Sequence, residues 1–274
     1  MTKNYSLLIL AALFCVSCAS KKYKDIPYQD NETVNNSHQL NVFKPRNSSI
    51  KKQPVVIFVH GGYWTEGDKD IYGFLGRNFA KNDIVTVIPS YTLSPNGNYN
   101  TMAHNVVEAL KWTENNIESF GGNSEQIYLM GHSAGGHLIA LVTTNPKYSE
   151  DTNSVKGVIL NDAAGLDMYS YLQKNPPTTE YHYLTTWTKD PKLWKDASPL
   201  YFMTDKMPPF LIYVGQKTYE SIKTQNAKFV EKLKNYQPNV EAIYLDKKHV
   251  PMMSQFFWPW NDRYDEISAF INKN

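Results

Sequence analysis

Along the chain, short unbroken apolar runs alternate with longer stretches in which apolar positions recur every three or four residues. Val55 to His60 (VVIFVH), Ile84 to Tyr91 (IVTVIPSY), Gln126 to Met130 (QIYLM), Val155 to Asp162 (VKGVILND), Phe210 to Gly215 (FLIYVG) and Val240 to Asp246 (VEAIYLD) are such runs. Rich in β-branched residues and without polar alternation, they suit strands buried on both faces. Gln39 to Lys44 (QLNVFK) alternates instead and reads as an edge strand. Between them lie helical patterns: Asp70 to Lys81 with Ile71, Phe74, Leu75 and Phe79, and Thr101 to Phe120 with Met102, Val106, Leu110 and Ile117. His137 to Thr144 and Ser221 to Asn235 complete them. Strand followed by helix, repeated this often, predicts an α/β fold with a mostly parallel, doubly wound sheet. One segment breaks the rhythm. Asp167 to Pro209 has no clear period yet holds eight tyrosines, tryptophans and phenylalanines, from Tyr169 to Phe202. So long an aromatic insertion predicts a cap over a site.

Composition narrows the picture. The 274 residues are 42% hydrophobic, enough for one large core, and no internal repeat divides them. Net charge is +2 with acids and bases interspersed, so no basic stripe is offered to nucleic acid. The opening MTKNYSLLILAALFCVSCAS pairs a positive start at Lys3 with a ten-residue apolar run, Leu7 to Val16, too short to span a bilayer. It predicts an export signal over residues 1–18. Cys15-Val16-Ser17-Cys18 resembles a relaxed lipoprotein processing site, which implies membrane attachment through a lipid on Cys18. Simple secretion with cleavage near Ala19 is the other reading. Residues 19–38 are polar and predict a tether, leaving 39–274 as the domain with its cap at about 167–209. Both cysteines lie in the leader, so neither a disulfide framework nor a thiolate metal site is predicted.

The chemistry centres on GHSAGGH, directly after QIYLM. Gly131-x-Ser133-x-Gly135 has the spacing of a nucleophile elbow, where the chain turns from strand to helix with room only for glycine beside the serine. Ser133 is the candidate nucleophile, and Ala134 N–H, opening the helix, a candidate oxyanion donor. Upstream, HGGYWTEGDK follows the first buried strand. Gly61 and Gly62 offer further N–H donors, and Tyr63 and Trp64 stand at the mouth of the site. Of seven histidines, His249 in YLDKKHVPM sits just after the last strand, where a general base belongs. His137, four residues past Ser133, reads as a packed helix residue, and FFWPW (256–260) as packing. No His/Glu cluster has metal-ligand spacing and no glycine-rich loop suits a nucleotide, so neither metal nor cofactor is expected.

These motifs, with SYTLSP at 90–95, GGNSEQIYLMGHSAGGH at 121–137, DASPLYF at 196–202 and KHVPM at 248–252, resemble the α/β-hydrolase fold. The likeness is to the esterase/lipase group that includes hormone-sensitive-lipase-like esterases, arylformamidases and bacterial feruloyl or acetyl-xylan esterases. HGGYW is nearer the formamidase and feruloyl-esterase pattern than the HGGG of lipases. The resemblance implies Ser133 as nucleophile, His249 as base, and Gly61, Gly62 and Ala134 as the oxyanion hole. It also implies an aspartate about three residues past the glycine ending the penultimate strand, where this chain has Thr218. Glu220, on the same loop, is the first candidate for the missing acid. Asp162 is the second, and a site without an acid the third. Asp246 is too near His249 on the same strand end to face the ring. The implied function is hydrolysis of carboxylic esters on glycans or small aromatic groups. An arylformamidase and a weakly catalytic binding protein are the alternatives.

Overall fold

The structure is a computed structural model that describes residues 20–29, 36–46 and 51–274. The export segment, with Cys15 and Cys18, lies outside the described residues. The chain runs β1 (Ser20–Pro27), β2 (Gln39–Pro45), β3 (Gln53–Val59), α1 (Gly73–Lys81), β4 (Val85–Pro89), α2 (Tyr99–Asn116), β5 (Gly122–His132) and α3 (Ala134–Thr144). It continues through β6 (Val155–Asn161), α4 (Met168–Lys174), α5 (Tyr183–Trp187), α6 (Pro191–Asp196), β7 (Phe210–Gly215), α7 (Glu220–Leu233), β8 (Ala242–Leu245), α8 (His249–Ser254) and α9 (Asp262–Lys273). The strands form one sheet in the order β1-β2-β4-β3-β5-β6-β7-β8. From β4 to β8 the neighbours are parallel, while β2 and β1 are added antiparallel.

The buried runs become the central strands because both faces are covered. On β3, Val55, Ile57 and Val59 enter one apolar layer, and Val56 and Phe58 the other, all fully buried. Helices α2, α3 and α7 cover the first face, with Met102, Val106 and Leu110 of α2 directed inward as their spacing predicts. Phe74, Leu75 and Phe79 of α1, with Tyr264, Ile267 and Ile271 of α9, cover the second. Helix α2 starts at Tyr99 rather than Thr101. The Asn98 side chain caps it, accepting from the Asn100 and Thr101 amides at 3.0 Å.

The predicted tether is corrected over residues 20–27, which form β1 and pair with β2 from Ser20↔Pro45 to Pro27↔Gln39. Tyr23 and Ile26 turn inward against the core while the lysines face out. Lys69, 3% exposed, reaches Asp25 at 2.9 Å, and Lys22 pairs with Asp70 at 3.0 Å, so charge as well as pairing fixes the strand. Consequently β2 is an interior strand and not the edge that its alternation predicts.

Between β6 and β7 the aromatic insertion folds as α4, α5 and α6 with short 3₁₀ turns. Trp187 fastens it. Fully buried, its ring stacks on Tyr99 at 5.9 Å and meets Trp64 edge-on at 4.8 Å. Truncating a buried tryptophan of this kind costs about 3–5 kcal/mol. That contact holds the insertion over the carboxyl edge of the sheet, where α/β folds place their sites.

Candidate active site

The elbow is built by exclusion. Ser133 takes φ 54°, ψ −120° between the end of β5 and the start of α3, a strained backbone worth about 1–3 kcal/mol. A Cβ at Gly131 would lie 2.5 Å from the Gly135 carbonyl carbon, and one at Gly135 would lie 2.0 Å from the Val59 oxygen. Only glycine lets the helix cross the strand end this closely.

Ser133 Oγ stands 2.8 Å from His249 Nε2, and His249 Nδ1 stands 2.6 Å from Asp162 Oδ2. His249, the candidate base, is the first residue of α8, and Asp162, a candidate acid, stands just past β6. Asp162 is fully buried and has φ 52°. Its Oδ1 accepts the Gly215 N–H at 2.9 Å, and its Oδ2 also accepts the Thr218 hydroxyl at 2.5 Å. An ionised carboxylate only accepts, so the proton of His249 sits on Nδ1 and the lone pair of Nε2 faces the serine hydroxyl. That is the tautomer a general base requires. His132 stacks on the His249 ring at 4.7 Å and donates through Nε2 to the His249 carbonyl at 3.2 Å. Burial, and then the neighbouring His249, push His132 down to about 3, so it stays neutral.

The acid is therefore a correction. Glu220 opens α7 with its side chain 80% exposed, 2.6 Å from Lys223, and makes no contact with His249. The Lys223 ammonium holds its carboxyl below the usual range. Its helix end faces solvent, so the extra methylene gains nothing. Asp246 also points outward, 2.6 Å from Lys217. Asp162, the second candidate, occupies the position.

Gly61 lies hard against Ser133: a Cβ there would meet the His132 carbonyl at 2.9 Å and Ser133 Cβ at 3.0 Å. Gly62 has φ 130°, and its carbonyl accepts from the Thr65 and Glu66 amides at 2.9 and 2.8 Å. The peptide is planar and trans, so the Tyr63 N–H points away from that turn. His60 Nδ1 engages the Gly61 carbonyl at 2.9 Å and orients the preceding peptide in the same manner. The Tyr63 amide thus joins the predicted Gly61, Gly62 and Ala134 as a candidate donor. Its signal is the left-handed backbone at Tyr63 and Trp64, φ 53° and 64°, which a glycine pair alone does not reveal.

A cavity of about 170 Å³ opens above Ser133 and His249, lined chiefly by Trp64, Met168, Tyr171, Tyr183, Tyr219 and Ile222. Among the described residues, no lysine, arginine, aspartate or glutamate lines it. Trp64 is held by its Nε1–H, which donates to His137 Nδ1 at 3.1 Å, and His137 Nε2 donates to the Ala197 carbonyl at 2.7 Å. Burial pushes His137 down to about 4, so the neutral ring serves as a relay between oxyanion turn and cap. At the mouth, Tyr63 and Tyr219 join hydroxyl to hydroxyl at 3.2 Å, which pushes Tyr63 up to about 12. In FFWPW, Phe256 is buried in the core as expected, but Phe257, Trp258 and Trp260 are more than half exposed, so most of the motif lies on the surface and does not line the cavity.

Known proteins resemble this chain in sequence and in fold. The family model described as BD-FAE matches residues 40–233. The chain is 30% identical to esterase LipC of Mycobacterium tuberculosis over 209 residues, which is 71% of this chain and 52% of LipC. It is 33% identical to kynurenine formamidase of Danio rerio over 137 residues, 50% of this chain and 44% of that protein. The chain thus spans about half the length of the curated relatives it matches. Among solved structures, esterase B of Lactobacillus rhamnosis superposes with TM-score 0.75 at 18% identity, covering 93% of this chain and 86% of its own. The α/β-hydrolase fold predicted above is the fold observed.

Proposed function

The chain belongs to the BD-FAE family, and from that membership and the site geometry we propose that it is a serine hydrolase of carboxylic esters acting through an acyl-enzyme. One observation carries the reading: the unbroken chain from Ser133 Oγ through His249 to Asp162, at 2.8 and 2.6 Å. In this reading Ser133 Oγ attacks the acyl carbon while His249 Nε2 takes its proton. Asp162 stabilises the imidazolium that results. The N–H groups of Ala134 and of the Gly62–Tyr63 turn receive the charge developing on the carbonyl oxygen. His249 then gives the proton to the departing alcohol. Water enters by the same route in reverse and releases the acid.

The substrate class follows from the lining. A cavity without formal charge favours neutral acyl groups, because a charged one would lose its hydration with no partner. Tyrosine and tryptophan walls suit flat faces, which supports esters of small aromatic acids or acyl groups on glycans. Similarity to a kynurenine formamidase keeps an aryl-formamide as the second reading, since the same machinery cleaves an amide when His249 protonates the amine. A binding protein that lost its acid is disfavoured by Asp162.

Activity-based labelling tests the proposal. A fluorophosphonate is expected to modify Ser133 and no other serine, and the protein to turn over p-nitrophenyl acetate faster than an N-formyl arylamine. A folded protein that resists the probe under conditions that label a control hydrolase would overturn the reading. Preference for the formamide would install the second one.

A further inference from the structure

We propose that Thr218 is a positioning residue for the Asp162–His249 pair. The proposal rests on the serine-hydrolase reading above.

Thr218 is 9% exposed, in the turn that follows β7. Its Oγ1 is 2.5 Å from Asp162 Oδ2 and 3.4 Å from His249 Nδ1. Since the carboxylate only accepts, the hydroxyl proton is directed at Asp162. The acid is then fixed at both oxygens: Oδ1 by the Gly215 amide at 2.9 Å, and Oδ2 by Thr218 while it also accepts from His249. A carboxylate so held cannot swing its Oδ2 away from Nδ1–H. Removing the hydroxyl frees that oxygen and leaves the buried charge with one donor fewer. The turn itself is rigid, closed by Thr218 N–H on the Gly215 carbonyl at 3.3 Å.

The remaining polar rings facing His249 are His132, stacked at 4.7 Å, and Tyr219, edge-on at 5.3 Å.

The test is a pair of single variants. Thr218→Val is expected to lower kcat about tenfold at unchanged KM. A carboxylate freed to swing from Nδ1–H stabilises the imidazolium less, so the acidic limb of the kcat/KM profile should move to lower pH, and Thr218→Ser should recover both. Wild-type kinetics and pH profile in Thr218→Val at equal thermal stability would overturn the proposal. If the wild type hydrolyses no ester and resists the fluorophosphonate, the functional reading fails separately. The low-field proton resonance of His249 Nδ1–H then decides: it should move in Thr218→Val and return in Thr218→Ser. An unmoved resonance in Thr218→Val sinks the inference by itself.

Discussion

Replacing Asp162 by asparagine keeps the shape of the acid and reverses one hydrogen bond. Asp162 is fully buried and receives three donors, from Gly215, Thr218 and His249. An asparagine can keep its carbonyl on the Gly215 amide, which leaves its NH₂ facing His249 Nδ1. That nitrogen must then accept, so the ring proton moves to Nε2 and points at Ser133 Oγ, 2.8 Å away. A ring that already holds a proton there cannot take the one from serine. The expected loss is about 10⁴-fold in kcat, roughly 5.5 kcal/mol of transition-state stabilisation. The assay is steady-state hydrolysis of p-nitrophenyl acetate, with urea midpoints showing that each variant is folded. Glu220→Gln, on the solvent face of α7, is the control and should stay within about twofold of wild type. Two results would refute the reasoning: Asp162→Asn keeping a tenth or more of the activity, or Glu220→Gln falling as far as Asp162→Asn.

Gly62→Ala should cost about 10²–10³ in kcat. Its new Cβ would sit 2.0 Å from the Glu66 oxygen at φ 130°, forcing open the turn that aims the Tyr63 amide; kcat near wild type would mean that this peptide does not serve the oxyanion. Stability should be level above about pH 6.5 and decline as pH falls toward 4, because burial holds His60 and His137 down to about 4 and His132 to about 3. The unfolded chain takes up those three protons near the ordinary histidine value of about 6.5 while the native state refuses them. Urea unfolding at pH 7.5, 6 and 5 reads the slope, and a flat profile would contradict neutral buried rings.

What the sequence disclosed follows the range over which each signal acts. Val55 to Val59 reads as a buried strand because the run needs no partner to be recognised. The elbow is legible for the same reason, since glycines, serine and the flanking strand and helix lie within a dozen residues. Strand β1 escapes because edge strands are protected by charge, and its lysines dominate the two inward residues, Tyr23 and Ile26. The acid escapes for a different reason: His249 and Asp162 are 87 residues apart in the chain. Their meeting is a property of strand order. In the sheet β6 lies between β5 and β7, and the register pairs His132 with Asn161. The residues just past that pair are Ser133 and Asp162, so the proposed nucleophile and acid leave adjacent strand ends. Glu220 belongs to the loop beyond β7, one strand further away, on a helix end turned to solvent. A carboxylate at the carboxyl end of the strand neighbouring the nucleophile was visible in VKGVILND, but only the order of the sheet gives it weight. The position past β7 then need not supply charge. A threonine there completes the hydrogen bonding of Asp162 at lower electrostatic cost than a second carboxylate in contact with the first.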